Sequence, residues 1–302
     1  MKILVTGGSG MVGRFYKEIE PNAIFLSSKD CDLTDIKQVT ETWEKHMPDV
    51  VIHLAARVGG IIDNINHPAE YYEQNVLMNT NVLMASRKIG VKRLIAILST
   101  CIYPDEVQYY PMHENQLHEG PPTKTNFSYG YAKRSLAVHI DSYNQEYGTK
   151  YQYLIPCNLY GEYDKYGENS HFVAALIKKI YKAKENNESE LNLFGTGKPL
   201  RQFMYGGDLA YVIKYCLDNN IYDNINVATE ENYTIKEITE IAIDIIGEGK
   251  IKDIKFDITK PDGQYRKDVS IDNLKRVIPN FKPTTLSDGI TKTIKNLNFT
   301  NL

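Results

Sequence analysis

Short apolar runs alternate with longer mixed stretches along the whole chain. Residues 2–6, 23–26, 50–53, 94–98 and 225–228 are four or five residues long and rich in Val, Ile, Leu and Ala, and 151–155 is a like run of Tyr, Gln, Leu and Ile. Runs of that length and type predict buried strands. The stretches between them predict helices after Gly13, over 69–88, from about Tyr129 to Tyr147, and over 208–217. Such alternation implies an α/β fold, a parallel sheet with helices on both faces.

The pattern changes at residue 162. A polar loop, EYDKYGENSH, ends at His171, with Ser170 placed to cap a helix over 172–183. A strand is expected over 191–194, a helix capped by Thr234 runs to Ile246, and Pro261-Asp262-Gly263 predicts a turn. These later pieces predict a smaller mixed α/β lobe, residues 162–201 and 230–302. It would sit on the carboxyl edge of a doubly wound Rossmann domain formed by 1–161 and 202–229, the chain crossing back once.

The first strand runs into Gly7-Gly8-Ser9-Gly10-Met11-Val12-Gly13, a G-x-x-G-x-x-G pattern. Between strand and helix, such glycines let the backbone approach a pyrophosphate that faces the helix N-terminus. The second strand ends at Ser27, with Lys29 close behind, where an NAD-binding fold usually carries an acid. Hydroxyls and a cation suit a 2′-phosphate, so the expected cofactor is NADP(H). Asp32 and Leu33 are expected near the adenine, with Thr34 or Asp35 capping the next helix. Ala55, Ala56 and Arg57 follow the third strand as further cofactor contacts. Asn75, Asn79 and Asn81 lie in the 69–88 helix; they are either buried and bonded or, for two of the three, on a surface face.

Charge and cysteines narrow the class. The net charge of −3 leaves no basic footprint for nucleic acid or an anionic membrane, and no apolar run nears the roughly 20 residues of a membrane span. Cys31, Cys101, Cys157 and Cys216 are scattered without a CxxC, so neither disulfides nor a metal site is expected. The N-terminus enters a strand directly and does not read as a signal peptide, so a cytoplasmic protein is expected.

The candidate chemistry lies between Ser99 and Lys133. The strand over 94–98 should deliver Ser99, Thr100 and Cys101 at its carboxyl tip, while Tyr129 and Lys133, four apart, share a helical face. A cation beside a phenol favours its ionised form, so Lys133 is expected to lower the Tyr129 pKa and fit it for proton transfer. With 22 tyrosines in the chain, a lone pair of this kind means little. The upstream serine and the glycine turn make it a constellation.

Taken together, GGSGMVG (7–13), AARVGGI (55–61), STCIYP (99–104), YGYAK (129–133), CNLYG (157–161), NSH (169–171), GTGKPLRQF (195–203) and KPDGQYRK (260–267) resemble the extended short-chain dehydrogenase/reductases. Within them the chain looks most like the GDP-fucose synthase family, the GDP-4-keto-6-deoxy-mannose epimerase-reductases. The resemblance implies NADPH-dependent reduction of a GDP-linked 4-keto-6-deoxy sugar at C4. Ser99 would bind the C4 carbonyl, Tyr129 would protonate its oxygen, and Lys133 would hold the nicotinamide ribose. Cys101 and His171 match the family's acid-base pair for epimerisation at C3 and C5. Leu98, Pro156, Asn158, Leu159 and His171 would border the cofactor, and Lys179, Phe194, Arg201 and Asp262 the nucleotide sugar. A homodimer packed through the Asn75 and Tyr129 helices is implied by analogy.

The family often has Trp at Phe194, and its His-Val-Asp-Asp run is here Tyr205-Gly206-Gly207-Asp208. The ring could be a hexose or a heptose, and epimerisation could belong to this chain or to another enzyme. Three rival readings remain. A 4,6-dehydratase needs Asp and Glu after the strand-end Thr, where this chain has Cys101 and Ile102. A 4-epimerase holds NAD, against which Ser27 argues. A non-catalytic NADP-binding regulator would not need Ser99, Tyr129 and Lys133 together.

Overall fold

The computed structural model describes residues 1–167, 170–260 and 262–297, so Asn169 and Pro261 of the motifs above lie outside the described residues. The first six strands are β1 (Ile3–Thr6), β2 (Ile24–Leu26), β3 (Val50–His53), β4 (Arg93–Ile97), β5 (Tyr151–Pro156) and β6 (Asn158–Tyr160). Six more follow: β7 (Glu190–Phe194), β8 (Leu200–Arg201), β9 (Phe203–Tyr205), β10 (Ile225–Val227), β11 (Tyr233–Thr234) and β12 (Asp253–Asp257). The helices begin with α1 (Met11–Ile19), α2 (Ile36–His46), α3 (Ile61–Asn66), α4 (Pro68–Lys88) and α5 (Phe127–Tyr147). They continue with α6 (Phe172–Glu185), α7 (Gly206–Asp218), α8 (Ile235–Ile246), α9 (Asp272–Val277) and α10 (Leu286–Asn296).

The main sheet has the order β10-β5-β4-β3-β1-β2, and every neighbouring pair is parallel. The strand run expected at 225–228 is thus an edge strand of this sheet, paired to β5. Helix α1 packs on α7, and α4 packs on both α2 and α5. The direction of winding reverses where β3 returns to the far side of β1. In open parallel sheets the crevice beyond the carboxyl ends at such a point is where ligands bind.

One buried polar chain ties the helix of the candidate chemistry to the glycine turn. Asn79 on α4 donates to Ala132 O on α5 at 3.3 Å, and its Oδ1 lies 3.0 Å from His53 Nε2. His53 Nδ1 then meets Thr6 Oγ1 at 2.8 Å. Because Asn79 Oδ1 can only accept, the network assigns the ring proton to Nε2 and leaves Nδ1 to accept from Thr6. Burial first, and the Lys133 charge second, push the His53 pKa down to about 3, so the ring is neutral. All three asparagines of α4 are buried. Asn75 grips the Arg57 backbone from both sides, and Asn81 donates to Leu33 O at 2.9 Å. The surface-face alternative for two of them is therefore wrong. Their amides fasten the loops after β2 and β3.

Asp35, not Thr34, caps α2, accepting from Lys37 N and Gln38 N. The cap position of α6 is His171 rather than Ser170, and α7 starts at Gly206, two residues before the expected Asp208. A second apolar core is built by α6, α8, α10 and β7, with Ile177, Ile238 and Ile290 fully buried in it. Two short parallel pairs, β6 with β9 and β7 with β12, and the antiparallel pair β8 with β11 complete this part. No helix among the described residues is long and apolar enough to cross a membrane.

Replacing Asn79 by Leu leaves His53 Nε2 a buried donor without an acceptor. The variant should lose about 1–3 kcal/mol of stability, the penalty for orphaning a buried polar group. A urea titration with unchanged slope and a lowered midpoint is the expected result. An unchanged midpoint would show the relay to be inessential.

Candidate active site

Gly7 sits at φ +67°, a left-handed conformation that L side chains rarely adopt, and a Cβ there would stand 2.8 Å from Ala55 N. A Cβ on Gly13 would stand 2.6 Å from Gly7 O. The turn after β1 therefore packs against the residues after β3 and against its own helix, at the switch point of the sheet. Helix α1 begins at Met11 with Gly10 as its cap residue and no side-chain cap, and Val12 is part-buried in its first turn. Its first amide groups are left to an anion, a fit for a dinucleotide pyrophosphate.

At the end of β2, Ser27 donates its hydroxyl to Asp30 Oδ2 at 2.6 Å, and Lys29 is exposed beside it. Asp30, unremarked in the sequence reading, is held below the usual carboxylate range by those Ser27 bonds. Asp32 is exposed and accepts from Thr34, while Leu33 is buried. Ala55, Ala56 and Arg57 are half-buried; the Arg57 guanidinium pairs with Glu70 at 2.7 Å. Pro156 is buried, Leu159 is half-buried, and Asn158 donates to Gln202 O at 2.9 Å.

The catalytic candidates gather at the end of β4. Leu98 is buried and bonds Leu154 O; Ser99 then accepts from Cys101 N and opens a single 3-10 turn, Thr100–Ile102. Helix α5 grips both ends of that turn. Lys133 Nζ donates to Ile97 O at 2.8 Å, and Arg134 Nε donates to Ile102 O at 2.8 Å. Gly130 presses from the same helix, where a Cβ would lie 2.6 Å from Cys101 O.

The electrostatics reverse one expectation. Burial, then the Cys101 charge, push the Tyr129 phenol far above its ordinary value, and the Ser99 hydrogen bond offsets only part of this. Lys133 does not depress it, because its ammonium is turned to the Ile97 carbonyl and is itself desolvated, its pKa brought down to about 8. Tyr129 is therefore held as the neutral phenol, the form that still carries a proton for a carbonyl oxygen.

Cys101 differs. Burial raises its thiol, but Lys267 Nζ lies 2.8 Å from Sγ, and with Ser99 and Arg201 it brings the net shift down. His171 is half-exposed, its Nδ1 3.0 Å from Asp164 Oδ1. That bond outweighs desolvation and raises its pKa.

Arg201 bridges the cluster to an outer cleft. Half-buried, it is under the influence of both the Cys101 and the Asp262 charges. Asp262 accepts from Thr196 N at 2.6 Å and Thr196 Oγ1 at 2.8 Å, closing under Gly195. Phe194, next in line, is 64% exposed, with Lys179 and Lys260 ammonium groups 5.5 and 5.9 Å from its ring centre. An exposed ring flanked by two cations suits a base and its phosphates.

Residues 3–228 match the family described as NAD dependent epimerase/dehydratase. The chain belongs to that family. It is 39% identical to the GDP-L-fucose synthase of Dictyostelium discoideum, over 95% of this chain and 92% of that protein. It is 38% identical to the GDP-L-colitose synthase of Yersinia pseudotuberculosis, over 97% and 96%. Among solved structures, a GDP-L-fucose synthetase from Naegleria fowleri bound to NADP superposes with a TM-score of 0.85, at 35% identity, covering 97% of this chain and 91% of that one. For this epimerase/dehydratase family member, sequence reasoning missed Asp164, Arg134 and Lys267 as site residues. Arg134 and Lys267 stood within or beside quoted motifs, but their partners are remote in sequence. Asp164, seven residues before His171 in a loop, gave no periodic signal.

Proposed function

We propose that this chain is an NADPH-dependent reductase of a GDP-linked 4-keto-6-deoxy sugar, hexose or heptose, with epimerisation beside the ketone as a second capacity. The observation that carries this reading is the placement of Tyr129 and Lys133 on α5 against Ser99 and the 3-10 turn at the end of β4, one strand from the switch-point crevice. The first domain, 1–161 and 202–229, holds the dinucleotide. The remaining lobe holds the nucleotide sugar.

Gly7, Gly10 and Gly13 with the α1 amides would seat the pyrophosphate, and Ser27 and Lys29 the 2′-phosphate. NADPH, when bound, supplies the hydride for C4. Ser99 orients the carbonyl, and Tyr129 gives its proton to the oxygen as the C=O π pair moves there, so ketone, hydride and proton balance as an alcohol. Lys133 holds Ile97 and the floor of the site. Arg201 and Lys179 would take the phosphates of the substrate, Phe194 the base, and Asp262 hydroxyl groups.

Hydrogens on the carbons flanking the ketone are acidified by it. A Cys101 thiolate can remove one, the C–H pair passing into an enolate, while the His171 imidazolium can return a proton from another direction. The depressed thiol and the raised imidazole support that division of labour.

We also infer a homodimer. Helix α4 presents Tyr72, Leu77 and Met84, and α5, packed beside it, presents Phe127, Val138 and Tyr147, all between 44% and 48% exposed. Two adjacent apolar helix faces suit an isologous contact with a second copy.

Tyr129→Phe should stop NADPH oxidation with the keto sugar, a loss of about 100-fold or more for a general acid, while NADPH binding by fluorescence is kept. Turnover within a few-fold of the unaltered protein would remove the mechanism. Light scattering should give twice the 34.5 kDa of one chain; a monomer at micromolar concentration would contradict the dimer.

A further inference from the structure

The segment 264–270 is a strap from the second lobe laid across the loop that follows β4. Gln264 donates to Pro104 O and to Asp105 O, the latter at 3.0 Å. Met112 N bonds Asp268 O at 2.9 Å, Ser270 N bonds Met112 O at 2.8 Å, and Val269 N bonds Gln202 Oε1 at 2.9 Å. Anchored on both sides, the strap drives Lys267 inward until it is only 8% exposed, with Nζ 2.8 Å from Cys101 Sγ.

A buried ammonium needs a counter-charge. The adjacent carboxylate, Asp268, is committed to Arg266 through both oxygens, at 2.6 and 3.0 Å. Arg201 on β8 adds a second positive charge near the sulfur, the Ser99 hydroxyl faces it from the end of β4, and the Tyr129 phenol faces it from α5. These are the charged and titratable groups around the thiol, and among the described residues none of them is an anion. The sulfur is left to balance Lys267.

We propose that Lys267 is a positioning residue that holds Cys101 as a resting thiolate, so that the sulfur enters each cycle as a base. In the step this serves, the thiolate forms an S–H bond with the proton of a carbon beside the ketone, and the freed pair moves into the enolate. Lys267 keeps its own protons throughout and forms no bond to substrate. Before that step the same anion, with burial, holds the Tyr129 phenol in its protonated form. This inference rests on the epimerising half of the proposed function, yet its test needs no substrate.

The test is the pH dependence of Cys101 alkylation by iodoacetamide, read on its peptide by mass spectrometry in the full chain. Cys31, Cys157 and Cys216 are buried and serve as unreactive references. The unaltered protein should show an inflection below the ordinary thiol value of about 8.5. Lys267→Met should move it up by about one to three pH units, the effect of losing an opposite charge at close range. Lys267→Arg should keep it low, which a merely structural role would not predict. An inflection at or above about 8.5 in the unaltered protein, or one unmoved in Lys267→Met, overturns the proposal. If the Met variant does not fold, the unaltered protein and the Arg variant decide it. Failure of the proposed function would show instead as a low, Lys267-dependent inflection in a protein that never exchanges substrate hydrogens.

Discussion

Two consecutive cations on α5 set the geometry of the site. Lys133 reaches Ile97 O, the last carbonyl of β4, and Arg134 reaches Ile102 O, the last carbonyl of the 3-10 turn. Ser99 and Cys101 lie between those two anchors. Among the described residues neither cation is bonded to a carboxylate, and each is held by carbonyl dipoles in a desolvated place. That is costly, and the cost is tolerable because helix, strand and turn are otherwise closely packed, down to the Cβ-free contact of Gly130 with Cys101 O. Tyr129, one turn before Lys133, is aimed by the same helix. The side chains of catalytic interest are thus carried by rigid elements rather than by free loops.

Charge in this cluster is arranged in opposite senses within a short span. The phenol is kept neutral by burial and by the sulfur, while the sulfur is drawn toward its anion by Lys267 and Arg201. Lys267 lies in the 264–270 segment and Arg201 on β8, and Asp262, which Arg201 also senses, closes on Thr196. The electrostatics of the β4 terminus are therefore completed by residues that follow it by about a hundred positions or more along the chain. The Asn79–His53–Thr6 relay adds a mechanical link from α5 to the turn that faces the dinucleotide.

The sequence was most informative where local pattern and tertiary role coincide. Five short apolar runs and the later one at 225–228 read as strands because a parallel sheet covered on both faces demands continuous apolar residues, and all six lie in the sheet. The glycine turn was legible because Gly7 and Gly13 occupy positions no side chain could fill. What escaped depended on partners distant along the chain. Asn81 and Leu33 are 48 residues apart, and Lys267 and Cys101 are 166 apart. The lowering of the Tyr129 pKa expected from Lys133 is not found, for a related reason: an i,i+4 pair shares a face, but burial lets a nearby carbonyl capture the ammonium. The short strands outside the main sheet, two or three residues long at β8, β9 and β11, offer too few positions for any period to show.

The central claim is that one site reduces a GDP-linked keto sugar and moves protons beside its ketone. The measurement that addresses both at once is NADPH consumption with GDP-4-keto-6-deoxy-mannose in deuterated water, the product analysed by NMR. The account predicts stoichiometric NADPH oxidation and a C4 alcohol carrying solvent deuterium on the flanking carbons C3 and C5. A C4 alcohol without deuterium would confine the chain to reduction. No NADPH oxidation with this sugar or with the corresponding keto-heptoses would contradict the account.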